Sequence, residues 1–170
     1  MKGNFKKALE FSLLQEGVDS NHPDDDGGKT RYGISSRYHP AMWLSGPPTR
    51  EQAEEFYRRE FWNELRCDDL PEGVDIAVFD AAIPSGPRDA AIWLQKSCGA
   101  KADGWIGPKT IAAAMKVHPS IIIRGITARR QLHYIGLADF HVFGAGWFNR
   151  SLDCYRTALA NMAREPLWNR

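Results

Sequence analysis

The chain has 170 residues, 22 Lys+Arg against 21 Asp+Glu and a formal net charge of +1, with 43% hydrophobic and 25% charged residues. That length suits one ordinary domain and buries enough surface to fold without disulfides or a structural metal. The composition excludes disorder and collagen-like repeats. No apolar run approaches the ~18 residues of a transmembrane helix, so no stable membrane insertion is expected.

A near-neutral charge speaks against a nucleic acid partner, which usually selects a strongly basic chain. The average hides an asymmetry. Residues 1–118 carry 15 Lys+Arg and 18 Asp+Glu, whereas residues 119–170 carry seven arginines and three acids. The basic half, with Arg124, Arg129 and Arg130, is expected to hold the protein near anionic cell-envelope polymers. Cys67, Cys98 and Cys154 are odd in number and lack CxxC spacing. They are read as buried free thiols rather than a disulfide framework or a zinc site. The five histidines show no metal-ligand spacing, so neither metal nor cofactor is expected. Residues 1–16 are charged and lack the apolar core of a signal peptide.

Phe5, Ala8, Leu9, Ser12, Leu13 and Glu16 recur at helical spacing and predict a first helix that Gly17 stops. Residues 19–33 are turn chemistry throughout, compatible with a loop and a short hairpin. Thr49, followed by Gln52, has the form of a capping box opening a helix to about Leu65. Helices are further predicted over 73–83, over 88–97 and from Pro108 to Lys116, with Pro108 at a first helical position. A long helix is predicted from Pro119 to about Phe140. Residues 143–146, Phe-Gly-Ala-Gly, are read as a break before a last helix over 147–163. The fold class is mainly α, with a small hairpin near residues 19–36. The one visible boundary, at residues 84–87, divides a region 1–86 from a helical region 87–170, both expected to share one globule.

Glu16 lies on the apolar stripe of the first helix, at its C-terminus. Desolvation and the helix dipole both raise the pKa of a carboxyl there, as a general acid requires. Asp24, Asp25 and Asp26 follow in a loop that Gly27 and Gly28 let fold tightly. A helix-end acid and a loop carboxylate facing a cleft are the two groups that glycoside hydrolysis needs. Any of the three aspartates is a candidate for the second. Thr30 offers a hydroxyl and Tyr32 an aromatic face for a sugar ring. Trp43, Trp62, Trp93 and Trp105 are further stacking candidates. The Asp run lacks the ligand spacing of an EF-hand.

The stretch Glu16-Gly17, then Asn21 to Ile34 with Asp25-Asp26-Gly27-Gly28-Lys29-Thr30-Arg31-Tyr32-Gly33-Ile34, resembles the signature of glycoside hydrolase family 108. These are N-acetylmuramidases of phage endolysins and bacterial lysozyme-like proteins. The resemblance continues through Thr49, Glu54, Tyr57 and Trp62 and through Val78-Phe79-Asp80 to Ser85-Gly86. Leu94-Gln95, Asp103-Gly104-Trp105-Ile106-Gly107-Pro108 and Thr110 are similar to the peptidoglycan-binding segment predicted to follow the catalytic region. Gly146-Trp147-Phe148-Asn149-Arg150 matches a late motif. Val18, His22, Asp26 and Pro84 depart from the family pattern.

The resemblance implies a lysozyme-like helical fold with the hairpin at the cleft. It implies Glu16, Asp25 and Thr30 as catalytic residues, and Tyr32, Asp26, Asp80 and Trp62 as substrate-binding ones. The spacing is also similar to the Glu-Asp-Thr triad of phage-type lysozymes, with one residue fewer in the last gap. The implied reaction is hydrolysis of the β-1,4 bond between N-acetylmuramic acid and N-acetylglucosamine in peptidoglycan, by a monomer held in the host cytoplasm until lysis. Two alternatives stay open: a lytic transglycosylase and a non-catalytic peptidoglycan-binding or secretion-associated protein. Retention and inversion also stay open, since they depend on carboxyl separation (~5 Å against ~6.5–9.5 Å).

Overall fold

The computed structural model describes residues 3–16, 19–20 and 28–162. Among these, the first element is α1 (Asn4–Glu16), followed by β1 (Asp19–Ser20), β2 (Thr30–Arg31) and β3 (Ile34–Ser35). The three strands form one antiparallel sheet in the order β1-β2-β3. The rest is helical. α2 (Arg50–Tyr57) runs on as a π-helical turn over Arg58–Asn63. Then come α3 (Val74–Ser85), α4 (Pro87–Cys98), α5 (Pro108–Ala114), α6 (Pro119–Ile135) and α7 (Phe140–Ala160). The predicted mainly α fold with a small sheet is the one observed.

The local signals act where expected. Thr49 caps α2, its hydroxyl accepting from the Gln52 N–H (3.3 Å) while Gln52 Oε1 accepts from the Thr49 N–H (2.8 Å). Pro87, Pro108 and Pro119 each sit in a first helical turn, where a missing N–H costs nothing. α1 buries Phe5, Ala8, Leu9, Ser12 and Leu13, the face its spacing marks.

The expected boundary between the last two helices is misplaced: the long helix predicted to about Phe140 ends at Ile135. The Phe143–Gly146 stretch does not break the chain, because α7 runs through it from Phe140. A Cβ on Gly144 would stand 2.6 Å from the Phe140 ring, so this glycine seats an aromatic one turn earlier. Gly125 within α6 has a related use: a Cβ there would lie 2.6 Å from Ser97 Oγ, so it lets α6 close on α4.

α3 is the centre of the molecule. Residues 74–82, Asp75 and Asp80 among them, are buried on every side, so this part of the helix has no solvent face. Phe79 of α3 meets Phe5 and Trp62 edge-to-face at 6.0 and 5.5 Å, and Phe5 meets Trp62 at 5.3 Å. The buried cluster continues through Leu94, Ile122, Ile123 and Ile126 to Ala158. Cys67, Cys98 and Cys154 are buried and free, as expected. Burial pushes each thiol above its ordinary pKa.

Gly73, just before α3, has a φ of +84°, and a Cβ there would meet the Ala158 carbonyl oxygen at 2.4 Å. Gly73→Ala is therefore expected to destabilise the protein by about 2 kcal/mol or more, through overpacking and backbone strain together. Gly99→Ala, at a similar φ of +74° with open space around it, isolates the strain and should cost about 1 kcal/mol. Urea denaturation of the two variants checks the difference.

Candidate active site

α1 delivers Glu16 to the end of the bundle where α3 also ends. Two side-chain bonds fix that alignment. Asn4 Nδ2 donates to Asp75 Oδ2 at 2.9 Å, and two turns later Ser12 Oγ donates to Asp80 Oδ1 at 2.9 Å. The two helices thus rise side by side. Glu16 follows Ser12 by four residues, on the same face of the backbone. Its side chain, and Asp24, Asp25 and Asp26 altogether, lie outside the described residues.

The sheet begins three residues after Glu16. Ser20 pairs with Thr30 and Asp19 with Arg31, while Thr30 pairs across β2–β3 with Ser35. The central strand therefore sets Thr30 opposite a residue only four positions beyond Glu16. Thr30 is half-buried, with its hydroxyl 3.5 Å from the Gly28 carbonyl. The chain between Ser20 and Thr30 carries the three aspartates.

Tyr32 and Gly33 form the two-residue turn between β2 and β3, with φ values of +52° and +75°. Positive φ at both positions is the primed geometry that matches strand twist. Glycine takes it freely, but a tyrosine does so only when held. Here Tyr57, buried in the core, donates its hydroxyl to the Tyr32 carbonyl at 2.9 Å, and the Arg31 guanidinium lies 5.3 Å from the Tyr32 ring centroid. The turn is thus tied to α2, and Tyr32 stands half-buried at the hairpin tip.

Two expected substrate contacts are placed elsewhere. Asp80 has no exposed surface. Its Oδ2 accepts from Arg130 Nη1 at 2.7 Å, and its Oδ1 accepts from Arg150 Nη2 and Ser12 Oγ, both at 2.9 Å. It holds helices together and offers nothing to a sugar. Trp62 is likewise fully buried among Phe5 and Phe79 and has no face free for stacking. Arg130, expected on a basic surface, is 2% exposed. Its Nε donates to the Tyr134 hydroxyl at 2.6 Å.

No local motif marks this network as a network. One signal was present: Ile122, Ile126, Arg130 and Tyr134 share one face of α6, and all are buried. A guanidinium in an apolar stripe demands a buried carboxylate. Burial alone would raise the Asp80 carboxyl, but the charges and hydrogen bonds of Arg130 and Arg150 outweigh it and hold the group below its ordinary pKa. Asp75 goes the other way: burial raises it, against the opposing hydrogen bonds of Asn4 and the Ile76 N–H. No cluster of three or more His, Cys, Asp or Glu residues suited to a metal occurs among the described residues.

The sequence and fold have counterparts. A family model described as glycosyl hydrolase 108 matches residues 9–86. Among solved structures, the chain is similar to Brucella abortus SagA, with 38% identity and a TM-score of 0.85 over 97% of this chain and 98% of that one. No curated protein sequence matches it.

Replacing Asp80 by Asn keeps the shape and removes the charge that Arg130 and Arg150 share. Asp80→Asn is expected to cost about 3–5 kcal/mol, the usual penalty of leaving a buried charge uncompensated. The pH dependence has a definite sign. A carboxyl with a depressed folded pKa gives stability that is complete above its unfolded value of about 3.9 and is lost as pH falls toward the lower folded one. Melting curves between about pH 2 and 7 should therefore show an acid limb that is flatter in Asp80→Asn than in the wild type.

Proposed function

Because the chain belongs to the glycosyl hydrolase 108 family, a group with a lysozyme-like, peptidoglycan-hydrolysing function, we propose that it is an N-acetylmuramidase. It cuts the β-1,4 bond between N-acetylmuramic acid and N-acetylglucosamine, and its place of action is the bacterial cell wall. One observation supports this reading most. Glu16 ends a helix anchored one turn earlier through Ser12 to the buried Asp80, and the sheet bearing Thr30 starts three residues later. The backbone of that helix end is anchored, and at a helix C-terminus the dipole favours the protonated form of an acid.

Glu16 donates its proton to the glycosidic oxygen as the bond breaks. Asp25 stabilises the positive charge developing at the anomeric carbon or orients the attacking water, with Thr30 placing that water. Asp26 and Tyr32 bind the sugar chain beside them. The hairpin turn, tied to α2 through the Tyr32 carbonyl, supports this role for Tyr32, since a backbone already ordered loses little entropy on binding. No metal or cofactor enters the scheme.

Glu16→Gln should lower the rate of lysis of purified cell walls at least about a hundredfold, the scale of general acid catalysis, while leaving the melting temperature near that of the wild type. Mass spectrometry of the digest should find reducing N-acetylmuramic acid ends. Anhydro ends would instead identify a lytic transglycosylase and overturn the hydrolase. Asn substitutions made singly at Asp24, Asp25 and Asp26 locate the second carboxylate. Asp25→Asn is expected to lose the most activity.

A further inference from the structure

The corner between α6 and α7 turns apolar side chains outward. Leu132, Ile135, Leu137, Val142 and Phe143 are between 38% and 68% exposed. From Ile135 to Phe143 every residue but Phe140 is exposed, so the corner stands out from the bundle. A single apolar residue on a surface is ordinary, but a contiguous group marks an interaction site. From Gln131 to Asn149 the one Asp, Glu, Lys or Arg is Asp139.

Below this apex the polarity changes in tiers. The half-buried Trp147 meets the rings of Tyr134 at 5.3 Å and Phe143 at 5.9 Å, and Phe140 meets Phe148 at 5.5 Å. Next along the helices come Arg130 and Arg150, both held by Asp80. At a rise of 1.5 Å per residue, Ile135 stands about 8 Å beyond Arg130, and Phe143 about 10 Å beyond Arg150. The order is aliphatic apex, aromatic tier, then charge. A segment resting in a lipid interface has this order: apolar side chains enter by roughly 5–10 Å and aromatic rings sit at the headgroups.

The helix pairings fix where the corner points. α3 turns back into α4 at Gly86. Along α4, Ser97 meets Gly125 and Arg129 of α6, and Trp93 meets His133. α6 therefore runs against α4 and with α3. α1 runs with α3 as well, through Asn4–Asp75 and Ser12–Asp80. The corner thus leaves the bundle at the end to which α1 delivers Glu16.

The size of the patch selects its occupant. A stable protein interface uses about 20–30 residues a side, whereas the corner, residues 132–143, offers about half of that. A bilayer needs no matching surface, since each apolar side chain that enters it contributes separately. With one formal charge, the corner has little to desolvate. No helix among the described residues is long and apolar enough to cross a membrane, so the corner would lie in the interface rather than span it. We propose that the α6–α7 corner is a docking surface for the interface of a lipid bilayer, with Leu137, Val142 and Phe143 entering the lipid and the Glu16 end of the bundle turned toward it. The docking does not depend on the muramidase reading. Joined to it, it directs cutting to the wall layer next to the membrane.

The probes are vesicles of phosphatidylcholine, with and without phosphatidylglycerol, sedimented with the full chain. The wild type is expected to bind both and to stay bound in about 0.5 M salt, which screens surface charge. Ile135→Asn combined with Val142→Asn, both at exposed positions, should weaken binding at least about tenfold, the scale of two half-exposed apolar side chains. Because Cys67, Cys98 and Cys154 are buried, a thiol introduced by Val142→Cys is the one that takes a polarity-sensitive dye. Its emission should shift to the blue on vesicles. The same dye on Lys116→Cys, exposed just before the other end of α6, should not respond. Failure to bind either vesicle, binding to the anionic vesicle alone that salt abolishes, or a shift at Lys116→Cys without one at Val142→Cys overturns the proposal. So does a wild-type dimer that the double substitution converts to a monomer, which would assign the corner to a second copy. Vesicle binding without wall cutting keeps the docking surface and removes the hydrolase.

Discussion

The pairing of Asp80 with Arg130 and Arg150 is the constraint on which the rest of the molecule depends. Three charges taken out of water are costly, and their mutual attraction offsets that cost only when geometry is good and remaining lone pairs are used. Here the carboxylate accepts from both guanidinium groups and from Ser12, and one guanidinium reaches on to Tyr134. The bonds leave α3 for α1, α6 and α7. An apolar core tolerates sliding of one helix along another, since contacts of similar value replace those lost. A directional ionic cluster does not. It sets the level of α1 against α3, and so the height at which Glu16 leaves the bundle.

The helices and their starts were largely legible in the sequence, because caps and first-turn prolines act over three or four residues. Thr49 with Gln52 and Pro108 are cases where chemistry, spacing and structure agree. α7 was not legible at its start. Gly144 and Gly146 carry a strong local breaker signal, and only the ring of Phe140 explains the first of them.

The candidate site was legible in part. Glu16 and Thr30 stand out through helix position and turn chemistry, and the strand register sets Thr30 near the end of α1. Asp80 and Trp62 were misassigned for a common reason. A polar or aromatic residue on a helix has the same local signature whether it faces a ligand or a distant helix. The partners that decide the matter for Asp80 lie 50 and 70 residues away in the chain. Gln95 shows the reverse: a buried amide whose partners, Asp103, Gly104 and Trp105, sit within ten residues. Trp105 thereby gains its firm seat from its own half of the chain.

The three cysteines bear on the surroundings in which this fold persists. Each thiol is buried, and burial keeps it in its neutral, unreactive form. Nucleophilic attack and oxidation need a thiolate within reach of a reagent. The folded chain therefore has no cross-link to lose under reducing conditions and no accessible thiol to be captured under oxidising ones. The fold is thus held by packing, hydrogen bonds and ion pairs rather than by the oxidation state of a cysteine.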